Sequence, residues 1–314
     1  MEIITLWRAP TMMLVLLATV VTFLVVPASA TLENKTGQLT VFWGRNKNEG
    51  SLREACDTGR YTRVIISFLD VYGIGNKYHL DLSGHPVGPT GKDIKHCQSK
   101  GIPVSLSIGG FGSHHYSLPT KESALDLFDY LWNAFLGGGS NNNKAVRRPF
   151  GDACLDGVDL FLDHHNAAAP TEHYDVLARE LAKHNIIRGG SGKPQLHLTA
   201  TPRCRFPPDG RVKKVLDTGV FERIHVRFYG DDEDCRVYWQ ELWANWTAAY
   251  PYTKVFFGLP AAPEAAVMGY VAPKEIYYSL LPVAQTAANY GGVMLWDWYY
   301  DKINDLSSFV AQWA

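Results

Sequence analysis

The chain lacks a surplus of charge of either sign: 30 Lys and Arg stand against 31 Asp and Glu, for a formal net charge of −1. Partners that demand a basic surface, nucleic acid or an anionic membrane, are therefore not favoured. No G-x-G-x-x-G follows a strand-like run, so the dinucleotide fingerprint is missing. Metal-ligand spacing is missing too. His164 and His165 follow Asp163, but adjacent histidines after a strand project in different directions and no further ligand set is spaced for zinc. No cofactor and no metal are expected. Low-complexity linkers and short repeats are absent; Gly137-Gly138-Gly139-Ser140 with Asn141–Asn143 reads as one flexible loop, not a domain boundary. Cysteine is scarce, with five in all, and the odd number leaves at least one outside any internal disulfide.

Long apolar runs are also scarce, and the one present lies at the start. Arg8 precedes an apolar stretch from Met12 to Val26, and Ala28-Ser29-Ala30 follows. This is the pattern of a secretory signal over residues 1–30, with cleavage after Ala30. The run is short for a membrane span, and no basic stop-transfer flank follows it. The expectation is a secreted, extracellular protein in which residues 31–314 form one domain. Asn34-Lys35-Thr36 and Asn245-Trp246-Thr247 match the glycosylation pattern. Asn34 is the expected acceptor; Asn245 falls in a predicted helix.

What is present is alternation. β-rich runs occur at Leu39–Phe42, Val64–Phe68, Pro103–Ile108, Gly157–Leu162, Leu196–Ala200, Ile224–Tyr229, Val255–Leu259 and Val293–Trp296. Amphipathic stretches lie between several of them. Ser123–Phe135 carries Leu125, Phe128, Leu131, Trp132 and Phe135 on one stripe. Thr171–Ile187 opens on a capping candidate, Thr171, and turns Tyr174, Leu177, Leu181 and Ala182 inward. Lys274–Ala287 is a third. Eight strands alternating with helices predict an α/β fold, a (β/α)₈ TIM barrel, with an open doubly wound sheet as the rival. In a barrel the chemistry sits where strands end and loops begin.

The segment Leu155-Asp156-Gly157-Val158-Asp159-Leu160-Phe161-Leu162-Asp163 bears on function. Alternate residues of a strand share a face, so Asp159, Phe161 and Asp163 point into the lumen while Leu160 and Leu162 meet the helices. By itself an Asp-x-x-x-Asp strand is most simply a barrel strand with structural acids. In Ile224–Tyr229 the residues His225, Arg227 and Tyr229 share a face in the same way.

The first of these segments resembles Asp-Gly-x-Asp-x-Asp-x-Glu, the fourth-strand signature of glycoside hydrolase family 18. The similarity extends to Phe42-Trp43-Gly44-Arg45-Asn46-Lys47-Asn48-Glu49-Gly50, Ser105-Leu106-Ser107-Ile108-Gly109-Gly110, Gly258-Leu259-Pro260-Ala261-Ala262-Pro263-Glu264 and Tyr290-Gly291-Gly292-Val293-Met294-Leu295-Trp296, which look like plant class III chitinases, in order and over essentially all of residues 31–314. The resemblance implies substrate-assisted hydrolysis, in which the motif Glu protonates the glycosidic oxygen and the Asp two residues earlier orients the substrate's acetamido group. Here Asp163 stands at the first position and Phe161 at the second. Asp is one methylene shorter than Glu, and a misplacement of about 1 Å costs about 100-fold. A general acid contributes roughly 10²–10⁴-fold. Phe161 offers the acetamido group no hydrogen bond. Asp156, Asp159, Phe161, Asp163 and Tyr229 are thus the positions of a degenerate motif, and no catalytic residue is expected. Tyr229 matches the family's acetamido-holding tyrosine. Arg227 stands where the chitinases carry Gln; facing the lumen it pairs with Asp163 and holds it as a carboxylate, the wrong state for an acid, and otherwise it pairs with another acid. Phe111 replaces a small residue and either fills the sugar cleft or packs in the core. Trp43, Arg45, Phe111, Arg227 and Trp296 are the predicted cleft residues.

Phe161 within Asp159-Leu160-Phe161-Leu162, and Asp93-Ile94-Lys95-His96-Cys97, resemble the cereal xylanase inhibitor proteins, catalytically silent relatives of these chitinases. That resemblance implies a plant-defence inhibitor of microbial family 11 xylanases, monomeric, acting through the loop after the fourth helix. Arg188 matches the blocking arginine, flanked by Gly189, Gly190 and Lys193; without the resemblance the segment is a solvated basic turn. Glu264 stands where a basic residue contacts family 10 xylanases, so family 10 is an unlikely partner. The family pattern also implies disulfides Cys56–Cys97 and Cys204–Cys235, with Cys154 a buried free thiol. A chitin-oligosaccharide-binding, lectin-like barrel and a residual chitinase are the alternatives.

Overall fold

The computed structural model describes residues 36–73, 77–111, 116–138, 146–163, 172–190, 192 and 194–314. The predicted signal segment, Asn34, Gly139–Asn143, His164, His165, Thr171 and Lys193 lie outside them. Residues Leu32–Ala314 make one compact unit. Eight parallel strands form it: β1 (Leu39–Trp43), β2 (Arg63–Val71), β3 (Val104–Gly109), β4 (Gly157–Phe161), β5 (His197–Ala200), β6 (Arg223–Arg227), β7 (Lys254–Pro260) and β8 (Tyr290–Trp296). Each pairs with its sequence neighbour, and β1 pairs with both β2 and β8, so the sheet closes into the predicted barrel. A two-residue strand, His79–Leu80, adds antiparallel to the end of β2.

The period-two alternation sorts side chains into two clusters. Leu39, Val41 and Trp43 of β1 and Val158 and Leu160 of β4 join the large core between sheet and helices. Phe42, Ile65, Phe68, Phe161, Tyr229, Met294 and Trp296 form a second cluster inside the barrel. Burial of a phenylalanine such as Phe161, 1% exposed, stabilises the fold by about 1.5–3 kcal/mol.

The helices cover the outside. α1 (Leu52–Asp57) starts with a capping box between Ser51 and Glu54. α2 spans Val87–Ser99. α3 (Lys121–Ala134) starts from Thr120, whose hydroxyl accepts from Ser123 N, and buries Ala124, Leu127, Phe128, Leu131 and Ala134. Leu125, predicted on the inner stripe, is 42% exposed, because the buried face is centred one residue earlier. The predicted helix Lys274–Ala287 is broken into Pro273–Glu275, a widened π turn at Ile276–Leu280, and Leu281–Ala284. Pro282, which lacks an N–H, falls at that junction. Among the described residues no helix is long and apolar enough to cross a membrane.

The structure pairs Cys56 with Cys97 and Cys204 with Cys235. The first ties α1 to α2; the second ties the chain after β5 to the short helix Asp234–Val237 after β6. Cys154 is free but half-buried rather than buried, with Arg148 Nη2 3.1 Å from its sulfur.

Candidate functional site

Strand β4 builds the site because its lumen residues meet partners in register. Asp159 lies between Ser107 of β3 and Thr199 of β5. Its carboxylate accepts from Ser107 Oγ at 2.7 Å, Thr199 Oγ1 at 2.6 Å and Thr201 Oγ1 at 2.8 Å. His225 Nδ1 is 3.7 Å away. Burial works against the charge of Asp159, but the His225 ring and then the Thr199 and Ser107 hydroxyls outweigh it and lower its pKa; burial in turn lowers that of His225. Asp156 faces the other way. Its Oδ2 accepts from Val104 N at 2.7 Å and Gln98 Nε2 at 2.9 Å, which is a structural role.

At the C-terminal end of β4, Asp163 is 2% exposed. Arg227 Nη2 donates to its Oδ1 at 3.1 Å and to Leu162 O at 3.1 Å. Arg203 Nε donates to the same Oδ1, and Arg203 Nη1 reaches Asp231 at 2.9 Å. Burial alone raises a carboxyl pKa; the two guanidinium groups overcome it and leave that of Asp163 lowered. The Arg227 guanidinium also lies 4.1 Å from the Phe161 ring centroid, a cation–π contact in a desolvated setting. The predicted pairing of Arg227 with Asp163 is therefore present, and Arg203 doubles it. Arg203 was not singled out from the sequence. The signal was there: Thr199, Thr201 and Arg203 continue one period-two face beyond the end of β5, and Arg203 bridges to Arg227.

Above this pair lies a cleft of about 330 Å³, lined by Phe111, Asp163, Arg227, Tyr229, Val267 and Trp296 among others. Gly109 and Gly110, at φ of +108° and +125°, turn the chain so that Phe111 comes over the barrel. A Cβ on Gly109 would lie 2.6 Å from Phe161 O. Phe111 is no core residue: it is 55% exposed and sits edge-on to Phe161 and Trp296, each 5.1 Å away between ring centroids. Tyr229 Oη is buried with no hydrogen-bond partner among the described residues, and burial raises its pKa.

Two predicted cleft residues are elsewhere. Trp43 points outward, 1% exposed, against His85 at 4.5 Å, with Nε1 donating to Gly50 O at 3.2 Å. The alternation of β1 gives the lumen position to Phe42 instead. Arg45 does not line the cleft; it pairs with Asp81 at 3.0 Å, its guanidinium 5.3 Å from the Phe68 ring. Behind Trp296, Asp297 caps the helix Trp298–Asn304. Burial and the neighbouring Glu49 push its pKa up to about 7. Glu49 is itself fully buried and accepts from Gly44 N, Asn46 N and His85 Nε2.

The predicted inhibitory segment is not a loop. α4 runs from Tyr174 to Gly190, so Arg188, Gly189 and Gly190 form its last turn. The left-handed residue that helix ends favour falls later, at Gly192, φ +73°. Arg188 Nε donates to Pro194 O at 2.7 Å and Nη1 to Leu136 O at 2.9 Å. This segment lies at the N-terminal mouth of the barrel, opposite the cleft. Asn245 is half-buried in the helix Trp239–Ala249, and its sequon partner Thr247 spends its hydroxyl on Trp243 O and Ala244 O. Glu264 is exposed on the turn Pro263–Ala265.

Chemically, a carboxylate held by two arginines beneath an aromatic cluster is the ionisation state of a base, and Phe161 fills the space beside it. A closed (β/α)₈ barrel with its cleft at the C-terminal end of β4 has its site where barrel proteins build their active sites. The chain belongs to the glycosyl hydrolases family 18, which it matches over residues 38–272. It is 56% identical over 309 residues to Xylanase inhibitor protein 1 of Triticum aestivum, covering 98% of each chain. It is 40% identical to an acidic endochitinase of Arabidopsis thaliana, covering 87% of this chain and 89% of that one. In structure it resembles the xylanase and alpha-amylase inhibitor protein of Scadoxus multiflorus, with a TM-score of 0.78, 35% identity, and coverage of 88% and 98%.

Proposed function

We propose that this chain is a chitinase-like protein inhibitor of xylanases, with no chitinase turnover of its own. The observation that carries the loss of turnover is the clamp on Asp163. Its proton-donating form is disfavoured by Arg203 and Arg227, and Phe161 leaves the acetamido group without a carboxylate. The similarity to proteins named for xylanase inhibition, over nearly the full length, supports the inhibitory role.

The finer reading is inhibition of family 11 enzymes, outside the cell and in defence, by a monomer docking through the end of α4. A retaining xylanase holds two carboxyl groups about 5–5.5 Å apart, a span a planar guanidinium bridges. Arg188 has Nη2 left for that contact, because Nε and Nη1 are held by backbone carbonyls. The same two bonds pre-orient the side chain, which lowers the entropy lost on binding. Glu264, exposed at the opposite end of the barrel, would repel the carboxylates of a family 10 enzyme, so that class is not a target.

Titration of a family 11 xylanase with the purified protein and with Arg188→Ala tests this. Inhibition by the native protein at micromolar concentration or below is expected, weakened about tenfold or more in the variant. Unchanged xylanase activity at micromolar excess of native protein overturns the inhibitor reading. Equal inhibition by both forms keeps the activity and removes Arg188 from it. Binding of chitin oligosaccharides with no effect on any xylanase would favour a lectin-like barrel instead.

A further inference from the structure

At the N-terminal mouth of the barrel, two arginines contact a single carboxylate. Arg63 opens β2 and Arg223 opens β6. Both turn to one carboxylate, that of Glu222. Arg63 Nη2 lies 2.7 Å and Arg223 Nε 3.4 Å from its Oε1, and His197 Nδ1 lies 2.9 Å from Oε2. Glu222 is thus the one carboxylate in direct contact with both guanidinium groups, while Asp159 and Asp156 act on Arg63 from farther away. The Arg63 side chain is 0% exposed. Its Nε and Nη1, and Nη1 of Arg223, have no hydrogen-bond partner among the described residues, and neither do the hydroxyls of Thr40 and Ser105. Nη2 of Arg223 reaches Gln38 Oε1 at 3.3 Å. The other acids that act on Arg63 are engaged elsewhere: Asp159 by three hydroxyls, and Asp156 by Val104 N and Gln98. Burial and the Arg63 charge beside it pull the Arg223 pKa down to about 10. A solvent-open bowl of about 520 Å³ lies here, lined by Gln38, Arg63, Lys100, His197 and Arg223 among others.

We propose that this mouth is a binding site for a small tetrahedral oxyanion of the phosphate or sulfate class. Guanidinium forks match such oxygens through paired charge-assisted hydrogen bonds. The Glu222 carboxylate, 39% exposed, is the resident competitor; as it moves aside, the anion takes its place on the buried N–H groups of Arg63 and Arg223. The site is at the end of the barrel away from Asp163 and does not depend on the xylanase reading.

The test uses the folded protein and inorganic phosphate at constant ionic strength balanced with chloride, read by calorimetry and by thermal unfolding. Expected is one saturable site with a dissociation constant in the millimolar range or tighter. Affinity should fall about tenfold in Arg223→Gln and rise in Glu222→Gln, which removes the competing charge. Arg223→Lys, which keeps the charge and loses the fork, provides the weakened arm where Arg223→Gln does not fold. No saturable heat, a thermal shift matched by chloride, or unchanged affinity in the Arg223 and Glu222 variants overturns the site.

Discussion

Replacing Arg227 by methionine tests the electrostatics of the β4 site. The substitution keeps the apolar stem and removes three things: the 3.1 Å pair with Asp163, the bond to Leu162 O and the guanidinium over Phe161. Asp163 and Arg227 are each 2% exposed, so solvent screens their interaction little. Removing one partner of a buried pair costs about 3–5 kcal/mol. Arg203 remains on Asp163, so the lower end, about 3 kcal/mol, is expected. Arg203→Met should cost less, about 1 kcal/mol, because that side chain is 28% exposed. The sign of the pH dependence follows from the lowered pKa of Asp163. In the native protein its contribution is present above the unfolded carboxyl value of about 3.9 and is lost as pH falls through the lower folded value. With Arg227 gone, burial acts on Asp163 with less opposition and raises its pKa, so the variant is penalised where the carboxyl is ionised and recovers as pH falls and it protonates. Urea unfolding at pH 7, 5 and 3.5 should show a gap between native and variant that is largest at pH 7 and narrows toward pH 3.5. A cost below about 1 kcal/mol at pH 7, or a gap independent of pH, refutes the clamp.

Asp297 should act in the opposite direction. Its folded pKa of about 7 lies above the unfolded value, so its contribution is complete below pH 4 and is lost as pH rises to 7; Asp297→Asn should flatten that fall in a stability–pH profile. The disulfides close segments with sequence separations of 41 and 31 residues, and removing either by Cys→Ala pairs should lower unfolding free energy by up to about 4 kcal/mol. Cys154→Ser, at a half-buried thiol beside Arg148, should change it by less than about 1 kcal/mol in the same denaturation assay.

The barrel was legible because its signals are local. β-branched runs at regular intervals mark the strands, and period-two alternation assigns Asp159, Phe161, Asp163, His225, Arg227 and Tyr229 to the lumen, where they are found. The errors came where the alternation had to be phased or extended. On β1 the choice between Phe42 and Trp43 depends on which parity faces inward, and two adjacent aromatic residues do not decide it. Arg203 lies past the last residue of β5, in a segment that reads as a loop, yet it keeps the strand's parity and reaches a residue 40 positions earlier. At the end of α4, Gly189 and Gly190 look like helix breakers, but the helix runs through Gly190, and the left-handed glycine that commonly follows a helix is Gly192. The charge cluster of Arg63, Glu222 and Arg223 was invisible for a different reason: Arg63 is far from the other two in sequence, and the barrel alone brings them together.

The most direct measurement is turnover of chitotetraose by the purified protein, followed by product chromatography from pH 4 to pH 8. With Phe161 in the acetamido position and Asp163 held ionised by Arg203 and Arg227, no products above the uncatalysed background are expected at any pH. Chitobiose accumulating in proportion to protein concentration would contradict the account.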